Sequence, residues 1–185
     1  MDARARLAFE ETALPHLDSL YRVALRLCGA RSEAEDLVQD TVVRAYRFWA
    51  SFTAGTNVRA WLFTILRHTF YSQLRRQGRL REQVSLGPAD AAGVPGEIPT
   101  PERALEGKIA ADRVHAALEK IPEDYRLAVM LADLEGLSYK EIAAVMECPI
   151  GTVMSRIYRG RRQLQHLLQD HAEPRDPAAP LSLDA

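Results

Sequence analysis

The chain has 185 residues, of which 47% are hydrophobic and 26% charged, and its formal net charge is −1. This length holds one medium domain or two small ones, and no apolar run approaches the roughly 20 residues that a membrane span needs. Because the N-terminus also lacks the long apolar core of a secretory signal, the sequence predicts a soluble cytoplasmic protein with no membrane insertion.

The residue types argue against a catalyst or a metalloprotein. Cys28 and Cys148 are far apart, and neither belongs to a Cys-x-x-Cys pair or a His/Cys cluster. The five histidines show no ligand spacing either. The sequence also has no nucleophile–base pair and no phosphate-cradling glycine loop. We therefore expect no enzymatic activity, no bound metal and no cofactor.

Three helices are predicted in the first part of the chain, over residues 11–28, 32–49 and 58–77. Gly29 ends the first helix, and Ser32 with Glu35 forms a capping box that starts the second. Asn57 is placed to cap the third helix. No alternating run is long enough for a credible strand, which favours an all-α fold.

A flexible linker divides the chain, because residues 87–101 contain four prolines and three glycines. Helices are predicted over 101–120 and 123–134, followed by a helix–turn–helix, and the tail over 172–185 is expected to be disordered. The sequence thus predicts an all-α protein of two small helical domains. Their predicted bounds are 1–78 and 102–171, with the linker over 79–101.

The second predicted helix separates an apolar arc from a charged stripe. The stripe is either solvated surface, with Asp40 and Arg44 as helical neighbours, or a docking surface for a basic partner. The arc contains Val38, Thr41, Val42, Ala45, Tyr46 and Trp49, and the stripe contains Glu33, Asp36, Asp40, Arg44 and Arg47.

The third predicted helix lies in a basic segment, since residues 59–81 contain six arginines and no acidic residue. Its outer face combines aromatic, polar and basic residues. Aromatic rings stack on unpaired bases while arginine neutralises phosphates, so this face favours single-stranded DNA binding, and the loop over 51–56 is suited to enclosing a base. Alternatively, Trp61 and Tyr71 pack against another helix of the same lobe. The outer face consists of Trp61, Thr64, His68, Tyr71 and Arg75.

The helix–turn–helix over residues 138–164 is the most informative segment. Ser138 and Glu141 form a capping box, the stretch 148–151 breaks the helix, and a second helix begins at Thr152. Its polar and basic face fits the DNA major groove, although a basic surface helix is the alternative. The apolar stripe is Val153, Ile157, Gly160, Leu164 and Leu167, and the opposite face is Thr152, Ser155, Arg159, Arg162 and His166.

In this order, the acidic helix, aromatic helix, linker and helix–turn–helix resemble the bacterial extracytoplasmic-function (ECF) sigma factors of the sigma-70 family over about residues 12–170. The most specific stretches are 34–41 (AEDLVQDT), 55–70 (GTNVRAWLFTILRHTF), and 121–126 (IPEDYR) together with 151–156 (GTVMSR). The stretch 55–70 and the pair 121–126 and 151–156 are similar to the branch that includes thiol-oxidative-stress sigma factors, which a small zinc-binding anti-sigma protein holds inactive.

The resemblance implies an alternative sigma factor that directs promoter-specific transcription initiation in a stress response, under anti-sigma control. Asp36, Gln39 and Asp40 would face the β′ coiled coil of core RNA polymerase, with the β flap as a second contact. The residues that would open the −10 element and hold its single strand are Phe52, Asn57, Trp61, Thr64, His68, Tyr71 and Arg75. Those that would bind the −35 duplex are Thr152, Ser155, Arg156, Arg159, Arg161 and Arg162.

One position departs from the family pattern, since many members carry lysine where this chain has Met154. A phosphate contact there is therefore not implied. The rival class is a stand-alone helix–turn–helix regulator, whose N-terminal lobe would bind a ligand or form a dimer. The acidic stripe favours the sigma factor, because a simple DNA-binding protein has little use for it.

Overall fold

The computed structural model describes residues 3–76, 78 and 113–170, and every regular element in these residues is helical. The predicted all-α class is confirmed. The predicted linker and tail lie outside the described residues. None of the described helices is long and apolar enough to cross a membrane. The helices are α1 (Ala3–Ala13), α2 (Leu17–Cys28), α3 (Arg31–Phe48), α4 (Val58–Arg76), α5 (113–119), α6 (Glu123–Asp133), α7 (Tyr139–Met146) and α8 (Ile150–Asp170).

The N-terminal segment forms two helices where the sequence predicted a single helix over 11–28. Helix α1 begins at Ala3, and a 3-10 turn over Leu14–His16 separates it from α2. Pro15 explains the break, because proline has no N–H to donate and its ring clashes with the preceding helical turn. The prediction of one continuous helix is therefore wrong.

The start of α3 also differs from the prediction. Its N-cap is Ala30 in an extended conformation, with no side-chain hydrogen bond, and Ser32 lies inside the helix. Gly29 ends α2 with φ +75°, a left-handed conformation that suits glycine. The connection from α2 to α3 therefore takes two residues, and the predicted Ser32–Glu35 capping box does not form.

Residues 3–76 form the N-terminal lobe, in which α2, α3 and α4 pack around a common core. Leu20, Leu37 and Phe63 are fully buried there. Asn57 caps α4 as predicted, because its Oδ1 accepts hydrogen bonds from the backbone N–H groups of Arg59 at 3.0 Å and Ala60 at 3.2 Å. This cap fixes where the 51–56 loop ends and α4 begins.

Residues 113–170 form the C-terminal lobe, which contains the predicted helix–turn–helix. The Ser138–Glu141 capping box starts α7, and Glu147 ends it in a left-handed conformation with φ 51°. Helix α8 begins at Ile150, two residues earlier than predicted, because the Pro149 carbonyl already accepts bonds from the N–H groups of Thr152 and Val153. Val153, Ile157 and Gly160 of the predicted apolar stripe are buried, as the helical periodicity required.

The two lobes pack against each other. Helix α4 lies on α7, and α2 contacts α6. Buried side chains from both lobes, including Phe63 and Ile142, belong to one continuous hydrophobic cluster. This lobe–lobe contact determines how much of the predicted strand-binding face of α4 is open to solvent.

Candidate nucleic-acid interface

Helix α8 presents a solvent-facing row opposite its buried stripe. Ser155, Arg159 and Arg162 are exposed and Thr152 is half-buried. The Arg159 guanidinium donates to the Tyr125 hydroxyl at 3.3 Å. Because the buried stripe packs α8 against α6 and α7, the row lies along the solvent-facing edge of the lobe. This is the geometry with which a recognition helix enters a major groove.

Two arginines predicted for the −35 duplex are already engaged by carboxylates. The Arg156 Nη2 lies 2.5 Å from Asp124 Oδ2, and its side chain is only 22% exposed. Arg161 donates from Nε and Nη2 to the two carboxylate oxygens of Asp133, and these hydrogen bonds raise the pKa of Arg161. A DNA phosphate would therefore compete with Asp124 and Asp133 for these guanidinium groups.

The aromatic residues near the start of α4 form a cluster within the N-terminal lobe. The rings of Trp49 and Phe52 stack with their centroids 4.9 Å apart, and Trp61 lies 5.2 Å from Phe52 and 5.9 Å from Trp49. Phe9 closes the cluster from α1, 5.3 Å from Trp49. Trp61 therefore packs inside its own lobe, which is the alternative that the sequence left open for it.

Tyr71 contacts the C-terminal lobe, a partner that the sequence did not predict, and its role in strand binding stays a prediction. It is half-buried and donates a hydrogen bond of 2.7 Å to Asp124 of the opposite lobe. Burial is the main cause that raises the pKa of the Tyr71 hydroxyl, and the bond to Asp124 adds to it. On the same helix, Arg75 is exposed and donates to the Tyr71 carbonyl, while Thr64 donates to the Ala60 carbonyl.

Acidic side chains of the C-terminal lobe reach the rest of the outer face of α4. The Asn57 amide donates to Glu141 Oε1 at 2.6 Å, and this bond is the main cause that lowers the pKa of Glu141. His68 Nε2 lies 3.0 Å from Glu147 Oε1, and Arg67 Nη1 lies 3.3 Å from Glu147 Oε2. Of the residues predicted to hold the strand, Asn57 and His68 thus contact α7 and the residue that ends it.

The predicted polymerase-binding residues are exposed on α3. They are Asp36, Gln39 and Asp40, and Asp40 accepts a hydrogen bond from Gln73 at 3.1 Å. Beside them runs a shallow, mostly apolar groove between α2 and α3. Its lining includes Leu17, Tyr21, Val38, Gln39, Val42 and Val43.

Sequence reasoning missed two buried charged residues at the lobe boundary. Glu135 is 3% exposed and is contacted by Ser19 Oγ, by Arg22 Nη2 at 3.4 Å and by Arg59 Nη1 at 3.8 Å. Arg126 is 7% exposed and donates to four backbone carbonyls. Burial is the main cause that lowers the pKa of its guanidinium. An arginine followed by the apolar run 127–132 was the available signal for Arg126.

No group of three or more His, Cys, Asp or Glu side chains is placed to hold a metal ion within residues 3–76, 78 and 113–170. The fold and the exposed row of α8 instead define a class of protein: a helical DNA-binding protein with a helix–turn–helix in its second lobe. Family models identify the class more closely. The model described as Sigma-70 region 2 matches residues 13–80, and that described as Sigma-70, region 4 matches residues 111–164.

Curated relatives agree with these matches. The ECF RNA polymerase sigma factor SigE of Mycolicibacterium smegmatis is 41% identical over 92% of this chain, which spans 65% of the relative's length. The ECF RNA polymerase sigma factor EcfG of Rhodopseudomonas palustris is 36% identical over 92% of this chain and 91% of its own. The chain belongs to the ECF sigma factors of the sigma-70 family.

A solved structure has a similar arrangement. It is the co-crystal structure of the sigma factor RpoE in complex with the anti-sigma factor NepR from Bartonella quintana. The match has a TM-score of 0.71 at 36% identity and covers 88% of this chain and 97% of RpoE.

Proposed function

We propose that this chain is a promoter-specificity subunit of RNA polymerase that recruits the core enzyme to a subset of promoters. The observation that carries the proposal is the combination, in one chain, of a helix–turn–helix with a solvent-facing basic edge and a separate lobe whose α4 carries aromatic and basic side chains. The protein performs no chemistry of its own. It directs the polymerase by binding two promoter elements.

Each lobe has a separate role in this proposal. The segment 1–78 binds core polymerase through Asp36, Gln39 and Asp40, and holds the −10 single strand through the 51–57 loop and α4. The segment 102–171 reads the −35 duplex through α8 and contacts the β flap, and 79–101 links the two. Unpaired bases captured by the first lobe are available only in melted DNA, so binding them offsets the cost of unstacking.

Regulation by an anti-sigma factor is also part of the proposal. The Bartonella relative is seen in complex with NepR, an anti-sigma factor, and its structure matches this chain with a TM-score of 0.71 over 88% of the chain. We place the protein in the cytoplasm, where core polymerase and promoter DNA are found, and assign it a stress response. A small anti-sigma protein, of the zinc-binding kind, would be its inhibitor.

Run-off transcription with core RNA polymerase and a promoter library tests the proposal. Transcripts that start downstream of one shared pair of elements are expected only when the protein is added. Arg159→Ala should reduce these transcripts by about tenfold, the effect of losing one base or phosphate contact, whereas Arg113→Ala on the exposed side of α5 should not. Tight operator binding by the protein alone, with no polymerase-dependent transcript, would instead indicate a stand-alone regulator.

A further inference from the structure

We propose that Phe9 of α1 is a positioning residue for strand capture, because it holds the Trp49 ring on which Phe52, at the start of the 51–57 loop, is stacked. The inference rests on the proposed role of that loop in holding the −10 single strand. It gives α1 a function that the family match does not cover, since the Sigma-70 region 2 model begins to match at residue 13, where α1 ends.

The 51–57 loop is anchored close to both of its ends. At the far end, Asn57 caps α4. Near the start, Phe52 is half-buried, and its ring lies at 16° to the ring of Trp49 with the centroids 4.9 Å apart. Residues 53–57 are all exposed. The placement of the loop start therefore depends on where the Trp49 ring holds Phe52.

Phe9 contacts two rings at the end of α3. It lies edge-on to Tyr46 and to Trp49, at 5.3 Å from each, with interplanar angles of 83° and 84°. Tyr46 and Trp49 are three positions apart, a spacing that brings side chains together on one side of a helix. An edge-to-face contact depends on the angle between the rings, because the positive edge of one ring meets the negative face of the other. Phe9 therefore fixes the orientation of Trp49 in addition to filling the space beside it.

The burial of α1 serves this cluster more than the core of the lobe. Of the residues of α1, Phe9 and Ala13 are buried, and Phe9 is 3% exposed. An apolar side chain without a ring at position 9 should thus leave the lobe folded and allow the Trp49 ring to turn. The large, fully buried side chains of the lobe come from α2, α3 and α4, and they are Leu20, Leu37, Leu62, Phe63 and Leu66.

The test uses the full-length chain with Phe9→Leu, and Phe9→Met is a second variant without a ring. Leucine and methionine keep the site filled, so circular dichroism should show unchanged helix content. Val23→Ala is the matched control. Val23 is fully buried in α2, and this variant loses core volume while it keeps every aromatic ring.

Tryptophan fluorescence reports the cluster by itself, because the chain has two tryptophans and both, Trp49 and Trp61, belong to it. We expect the emission of free Phe9→Leu to shift to longer wavelength and to be quenched more strongly by acrylamide than that of the wild-type protein, since the released ring gains access to water. Phe9→Met should behave in the same way, and Val23→Ala should resemble the wild-type protein.

The second measurement is the rate of promoter opening by the holoenzyme, followed by the permanganate reactivity of unpaired thymines on a promoter obtained from the run-off assay. Phe9→Leu should slow opening about threefold to tenfold, the factor equivalent to one edge-to-face contact, and leave the affinity for the closed promoter unchanged. In a Phe52→Leu background, Phe9→Leu should slow opening no further, because Phe9 acts through Phe52. A general loss of stability would instead add to the effect of Phe52→Leu.

Unchanged tryptophan fluorescence in both variants of Phe9 would overturn the inference. Slower opening that Val23→Ala reproduces, or that adds to the effect of Phe52→Leu, would overturn it as well. Normal transcription with an unchanged opening rate for Phe9→Leu would refute the role of Phe9 alone. If the wild-type holoenzyme gave no transcript, the proposed function would fail instead, and the fluorescence of the free chain would still show whether Phe9 holds the Trp49 ring.

Discussion

Arg126 offers the most direct test of the physical reasoning, because its side chain joins the two lobes through backbone carbonyls in both. Its Nη1 donates to the carbonyls of Arg26 and Leu27 at 3.2 Å each, in the last turn of α2. Its Nη2 donates to the carbonyls of Glu119 at 2.7 Å and Ile121 at 3.1 Å, within its own lobe. Arg126→Ala would remove all four of these hydrogen bonds, and the alanine side chain has no donor to replace them.

The expected loss in the free energy of unfolding is about 3–5 kcal/mol. Four hydrogen bonds from a charged donor at about 1.5–3 kcal/mol each would give roughly 6–12 kcal/mol as an upper bound. The net loss is smaller because alanine also removes the cost of burying the guanidinium, whose Nε has no hydrogen-bond partner among the described residues. Water entering the vacated space would satisfy part of the remainder.

Urea unfolding followed by far-UV circular dichroism measures this loss. Arg126→Lys should recover part of the stability at most, since one ammonium group cannot span carbonyls on both sides as the planar fork does. Arg113→Ala, on an exposed face of α5, serves as the control and should change stability by less than about 0.5 kcal/mol. A loss below about 1 kcal/mol for Arg126→Ala would refute the reasoning, because the four bonds would then contribute nothing beyond what water supplies.

Three further predictions follow from local geometry. Asn57→Ala should lower stability by about 1 kcal/mol by removing the cap of α4, and Asn57→Ser should restore most of it; equal thermal melting of all three proteins would contradict the cap. Gly160→Ala should lower the free energy of unfolding, measured with urea, by about 1–2 kcal/mol, because a Cβ there would lie 2.6 Å from Val129 Cγ2. The cost of this overpacking is larger than the roughly 1 kcal/mol that alanine gains in helix propensity. The penalty should shrink in a Val129→Ala background, and an undiminished penalty would place the clash elsewhere. The pKa values of Glu141 and Glu147 are both lowered from the ordinary 4.5, so the stability that these carboxylates contribute is complete above pH 4.5 and is lost as the pH falls through their folded-state pKa values. The midpoint of thermal unfolding should therefore drop in that acidic range, and it should drop less steeply for Glu147→Gln. Identical pH profiles for the two proteins would exclude Glu147 as a contributor.

Local patterns in the sequence predicted much of the fold. The Ser138–Glu141 box, the Asn57 cap and the buried stripe of α8 depend on residues within a few positions of each other, so the sequence contains the whole interaction. The two failures in the first lobe had local causes as well. Pro15 interrupts the first helix, and Gly29 starts the turn early enough for Ala30 to replace Ser32 as the N-cap.

The parts that the sequence could not predict depend on residues far apart along the chain. The Tyr71–Asp124 bond spans 53 positions, and the Asn57–Glu141 bond spans 84. Periodicity separated Trp61 and Tyr71 from the buried face of α4, and both are half-buried, but a face has no intrinsic partner. Whether it meets solvent, DNA or another helix depends on how the lobes pack, which no spacing rule contains.

The carboxylate of Glu141 has two tasks. Its Oε2 accepts the Ser138 N–H at 2.8 Å and so completes the cap of α7, while its Oε1 accepts the Asn57 amide at 2.6 Å. Asn57 in turn caps α4 through its other side-chain atom. Loss of the Glu141 carboxylate would therefore weaken the start of α7 and the link between the lobes together. At Asn57 the two tasks are separable, because serine would keep a cap for α4 and lose the amide that reaches Glu141, so only one side of this link is tied to the start of a helix.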